Sequence, residues 1–132
     1  NEDSYVAKGF EKWISKSLSL FLIIINTKAY HDRYSQLDKK NATNSEDWSI
    51  PYWFVDAGAS MMNCMLLIEE MGLKSGFLGS HNMDIENIKN HLSIPNDYLI
   101  LGFVTAGVEK STNVKKKNTK RKKLIHNEYF TK

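Results

Sequence analysis

The sequence is short of the residues that staple, kink or anchor a chain. Its only cysteine is Cys64, so no internal disulfide can form and a reducing compartment is the simpler setting. Cys64 lies in an apolar segment without a basic neighbour in sequence, which suits a buried, inert thiol rather than a nucleophile. The longest purely apolar run, Leu20 to Ile25, falls far short of the ~20 residues that a membrane-spanning helix needs. No N-terminal stretch has the basic start, apolar middle and small-residue cleavage site of a secretory leader. Together these absences read as a soluble, cytoplasmic protein.

Signatures of common catalytic machinery are missing as well. There is no phosphate loop, no glycine fingerprint for dinucleotides, no paired cysteines and no HExxH for zinc. Ser4, Ser60 and Ser80 lack the strand-turn-helix setting of a nucleophile elbow. His31, His81, His91 and His126 are scattered, as surface or capping histidines are, and do not form a ligand set. A chain with no proton-transfer or nucleophile machinery of its own suits a protein whose cofactor does the chemistry.

What is present is a globular composition, with 42% hydrophobic and 25% charged residues in 132. That length supports one domain, residues 1–132, with a real core and no room for a second. The net charge of +3 hides an asymmetry. Seven of the 18 Lys and Arg residues lie between Lys115 and Lys123, leaving 11 against all 15 acids elsewhere. The body is therefore mildly acidic and residues 108–132 form a basic arm, where an anionic partner would be met.

Along the chain, Asn1-Glu2-Asp3-Ser4 suits a helix start. Val6, Phe10, Trp13, Ile14 and Ser17 at helical spacing predict an amphipathic helix over 5–16. Leu18–Ile25, apolar without alternation, reads as a central strand covered on both faces. Lys28–Ser49 reads as a long polar surface excursion. Pro51–Gly72 is apolar almost all round, a helix buried in a core or an oligomer interface, with Gly72 as a left-handed residue just past its end. Its methionines read as core filling. Leu73–Ser80 reads as a glycine-containing loop, and Met83–Leu92 as a short helix capped by Asn82 or Asp84. Pro95-Asn96-Asp97 turns the chain into a strand over Tyr98–Thr105, within which Gly102 marks a bulge or a close approach. Leu124, Ile125, Tyr129 and Phe130 form an apolar group that favours docking of the C-terminus.

Four of these segments, in order over residues 50–130, carry a resemblance. Asp56-Ala57-Gly58-Ala59-Ser60-Met61-Met62-Asn63, running on to Glu70-Met71-Gly72-Leu73, is similar to the central helix of the nitroreductase family. Lys74-Ser75-Gly76-Phe77-Leu78-Gly79-Ser80 resembles the family loop beneath the flavin. His91-Leu92-Ser93-Ile94-Pro95 with Leu99-Ile100-Leu101-Gly102-Phe103 resembles its Leu-Gly-Ile-Pro segment and following strand. Lys120-Arg121-Lys122-Lys123-Leu124 resembles its C-terminal Lys-Arg-x-Pro-Leu stretch. Met62, Ser80 and Lys123 depart from the family's usual Gln, Gly and Pro. The family's Arg-rich opening and its Asn-x-Gln-Pro-Trp-like segment do not occur before Tyr5.

The resemblance implies an α+β, nitroreductase-like fold, N-terminally partial, with a central β-sheet flanked by helices. A long buried central helix would lie at a homodimer interface, with FMN beside it. It implies flavin contacts from the backbone of Gly79 and Ser80. The FMN phosphate would be held by Arg121 with Lys120, or with Lys117 after a small register shift. The implied activity is hydride transfer from NAD(P)H through FMN to nitroaromatic or quinone-like acceptors, with Phe77 and Trp53 as candidate cavity walls. Two alternatives stand beside it: a non-catalytic, truncated member, or an anion- or nucleic-acid-binding module acting through the tail. The run Lys115–Lys123 contains no aromatic for base stacking and no reading motif accompanies it, so nucleic acid is not the expected partner.

Overall fold

The computed structural model describes residues 2–9, 11–39 and 44–110. In chain order these form α1 (Glu2–Val6), β1 (Ser19–Asn26), α2 (Thr27–Tyr34), α3 (Tyr52–Glu70), β2 (Lys74–Gly79), α4 (Ile85–Leu92) and β3 (Tyr98–Gly107). The strands make one antiparallel sheet in the order β1-β3-β2. The architecture is α+β, with α3 laid against the sheet.

Helix α3 carries the core. Met61, Cys64, Met65 and Ile68 recur at helical spacing and pack with Leu73, and with Ile23 of β1 and Val104 and Ala106 of β3, where Val104 is fully enclosed. Cys64 is thus a half-buried packing thiol. The helix stops where glycine permits it: Gly72 has φ 79° and its N–H bonds to the Glu69 carbonyl at 3.0 Å. The short turn after it leads into β2, which packs against α3.

Strand β3 is the central strand, and Gly102 marks its irregular point. The β1 register shifts between Ile23 and Ile24 opposite this glycine, whose φ is 154°. A Cβ on Gly102 would lie 2.2 Å from the Leu78 carbonyl oxygen and 2.8 Å from the Phe77 ring. The close approach expected from the sequence is therefore real, and it fixes the far end of β2 against β3. The expected short helix is α4, capped by the Asp84 side chain, which accepts from Asn87 N–H at 3.1 Å.

Other expectations are corrected. The helix foreseen over 5–16 is only α1: Gly9 turns left-handed at φ 84°, and the chain then makes a turn instead. The Glu2 carboxylate accepts from the N–H groups of Ile14 (2.8 Å) and Ser15 (3.1 Å), while Trp13 packs over Gly76. Strand β1 is an edge strand, not a central one, and Leu20, Phe21 and Ile24 stay exposed. The excursion after it begins with α2, started by the Asn26 side chain accepting from Ala29 N–H at 3.3 Å. Leu73–Ser80 is mostly strand β2, because pairing with β3 outweighs the turn tendency of its glycines.

Helix α3 is less enclosed than its composition suggests. Of its residues only Ile68 is buried, and Tyr52, Val55, Met62 and Leu66 form an exposed stripe on the face turned from the sheet. With Ala59 between them, the spacings alternate three and four, the pattern of a helix seam that takes a second helix.

Candidate functional site

The sequence-derived site residues fall in two places. Gly79 ends β2 and Ser80 begins the single helical turn Ser80–Asn82, closed by Met83 N–H on the Ser80 carbonyl at 2.9 Å. Both are half-buried. Lys117, Lys120 and Arg121 lie outside the described residues, as do His126 and the apolar group Leu124–Phe130.

Two contacts hold β2 so that Gly79 and Ser80 are presented at a defined point. At its start, the Glu69 carboxylate at the end of α3 accepts from Ser75 N–H at 2.8 Å and from the Lys74 ammonium at 3.0 Å. The Ser75 N–H holds the Glu69 carboxyl below the ordinary carboxylate range, with Lys74 adding to it; the same hydrogen bond from the other side raises Lys74. At its end, Gly79 pairs with Gly102, two residues without side chains facing each other across the ladder. Thr105 Oγ1 also donates to the Gly76 carbonyl at 3.2 Å.

The surroundings of Gly79 test whether a flat ring could lie there. A Cβ at this position would meet His81 Nδ1 at 3.2 Å, His81 Cε1 at 3.7 Å and the Phe77 ring at 3.8 Å. The space over the Gly79 backbone is already occupied by the His81 imidazole and the Phe77 ring, so a flat ring would reach the main chain only where these side chains swing aside. The Phe77 ring lies beside Gly79.

Trp53 belongs to an aromatic cluster that sequence reasoning missed. Trp48 meets Tyr34 edge-on at 4.6 Å and stacks with Trp53 at 6.2 Å, and Trp53 in turn meets Tyr30 (6.0 Å) and His31 (5.8 Å). Tyr30 donates to Asp56 at 2.7 Å, which raises the phenol above its usual range. His31 Nδ1 lies 2.6 Å from Oγ of buried Ser45, beside a cavity of about 310 Å³. The signal was in the sequence: Tyr30 and Tyr34 share a helix face at i, i+4, and Trp48, Tyr52 and Trp53 follow within the polar stretch and the helix start. A second, more apolar cavity of about 430 Å³ lies between α4 and the sheet, lined by Leu20, Leu22, Ile88, His91, Leu92 and Phe103 among others. Among the described residues no cluster of His, Cys, Asp and Glu could hold a metal ion, and no helix is long and apolar enough to cross a membrane.

The chain is α+β, with one long helix packed on a three-stranded antiparallel sheet. The family model for the nitroreductase family matches residues 12–108, most of the chain and every strand of the sheet. The chain belongs to the nitroreductase family. Among curated proteins and among solved structures nothing matches it.

Proposed function

We propose that this chain is an FMN-dependent oxidoreductase of the nitroreductase type, working as a homodimer. In this reading NAD(P)H is the hydride donor and a nitroaromatic or quinone-like compound the acceptor. The observation that carries the reading is the family match over residues 12–108, which takes in Gly79 and Ser80 at the end of β2. Bound FMN would supply the hydride and electron transfer that no side chain here offers.

The chain's own residues would bind and orient. The backbone of Gly79 and Ser80 would meet the ring, held in place by the Gly79–Gly102 pairing at one end of β2 and the Glu69 clamp at the other. Small residues at the contact let the main chain, and not a mobile side chain, set the distance to the ring. Arg121, with Lys120 or Lys117, would grip the phosphate, where a planar guanidinium can engage two oxygens at once. The exposed stripe of α3 supports the homodimer, since Tyr52, Val55, Met62 and Leu66 leave apolar area that a second copy would cover.

The test is direct. The purified chain should take up FMN, show flavin absorption and bleach when NAD(P)H is added without oxygen. Protein that stays colourless at high FMN concentration would overturn the proposal. FMN uptake unchanged in Arg121→Ala would overturn the phosphate role alone.

A further inference from the structure

Helix α3 covers one face of the sheet, and the other face is only partly covered. Side chains alternate across a strand, so Val104 and Ala106 of β3 face α3 while Phe103 faces the opposite way, beside its ladder partner Leu22 of β1. On that second face, α4 and the sheet enclose a groove of about 430 Å³. Leu20, Leu22 and Phe103 line it from the strands, and Ile88 and Leu92 from the helix. Leu20 and Leu92 remain 46% and 50% exposed, so the apolar face of α4 is not spent on the sheet. Two polar side chains of α4, Asn87 and His91, complete the lining. Their spacing of i, i+4 stacks them on one side of the helix. Neither side chain has a hydrogen-bond partner among the described residues.

We propose that this groove is a binding site for a small, flat, apolar molecule with a hydroxyl or carbonyl group on one edge. The apolar body rests against Phe103, the two leucines of β1, Ile88 and Leu92, and the polar edge meets Asn87 and His91. The volume falls within the ~300–1,000 Å³ of small-molecule sites, which are likewise apolar with a few convergent polar groups. A protein partner matches less well. Seven residues line the groove, whereas a stable protein interface takes roughly 20–30 on each side. A charged ligand matches less well too, because no Lys, Arg, Asp or Glu is among those seven to pair with it. The carboxamide and the neutral imidazole each offer a donor and an acceptor, so either a hydroxyl or a carbonyl is accommodated. This site does not depend on the flavin reading, since neither Gly79 nor Ser80 lines it.

The test titrates the full chain with 2-naphthol, and with naphthalene, which lacks the hydroxyl, and follows ligand fluorescence and the histidine signals by NMR. The wild type should bind 2-naphthol saturably at one site per chain. It should bind naphthalene roughly 5- to 10-fold more weakly, the effect of one lost hydrogen bond. The His91 imidazole signals should move while those of His31 stay. The double variant Asn87→Leu, His91→Leu keeps the apolar walls and should bind the two compounds alike. Leu92→Trp, at a half-exposed position, fills the groove and should abolish binding of both with the urea midpoint little changed. Wild-type protein that does not saturate with 2-naphthol would overturn the proposal. So would undiminished binding in a folded Leu92→Trp variant, or a preference for 2-naphthol that survives in the double variant.

Discussion

Gly102 is the position where a single methyl group should do most damage. Two costs combine in Gly102→Ala. The backbone sits at φ 154°, where a residue with a Cβ is strained by about 1–3 kcal/mol. The new Cβ would also stand 2.2 Å from the Leu78 carbonyl oxygen and under 3 Å from the Phe77 ring, so β2 must move away from β3. Overpacking of this kind costs about 1–3 kcal/mol more. A total of about 2–6 kcal/mol is a large share of the roughly 5–15 kcal/mol by which domains are stable. At about 4 °C per kcal/mol, the expected fall in Tm is roughly 8–24 °C. Gly72→Ala separates the two costs. Gly72 is also left-handed, at φ 79°, but its Cβ would meet nothing within 4 Å, so only the conformational cost of about 1–2 kcal/mol remains. Urea denaturation followed by circular dichroism gives both values. Equal losses in the two variants, or a loss below about 1 kcal/mol in Gly102→Ala, would refute the argument that backbone contact at Gly102 fixes β2.

Three further outcomes follow from the contacts around the site. The folded-state pKa of Glu69 is depressed, so its contribution is present above the unfolded value near 4.5 and is lost as pH falls through the folded value. The gap in urea midpoint between wild type and Glu69→Gln should therefore be widest near neutral pH and shrink on acidification; a gap that grows in acid would contradict the assignment. Asp84→Ala removes the cap on Asn87 N–H and should cost about 1 kcal/mol in the same assay, whereas an unchanged midpoint would mean the cap is idle. Leu66→Lys places a charge on the apolar stripe of α3, and light scattering should show a two-chain particle become a one-chain particle. A dimer that survives the lysine would mean that the stripe is not the interface.

The parts of the fold legible in the sequence were those fixed by local rules. The limits of α3 followed from its apolar content and from Gly72, the start of α4 from Asp84, and the irregularity of β3 from Gly102. Where long-range pairing decides, sequence reading failed. Gly76 and Gly79 look like a loop, yet β3 holds them as a strand. The run Leu18–Ile25 announces that both faces of β1 suit burial, but its alternation-free pattern does not say which neighbours bury them, and in the described chain β1 lies on the edge. Helix α2 escaped notice because its residues are mostly polar, so its start depends on one side chain, Asn26. At the site, Gly79 and Ser80 came from resemblance to the family loop.

The central claim is that the main chain at Gly79 and Ser80 receives FMN, and an equilibrium titration of FMN fluorescence against wild type and Gly79→Val tests it most directly. Saturable binding to the wild type is expected and, because a valine side chain would crowd His81 and Phe77 and hold a ring off the main chain, binding at least about tenfold weaker in the variant. Wild-type protein that does not saturate, or a valine variant that binds FMN as tightly, would contradict it.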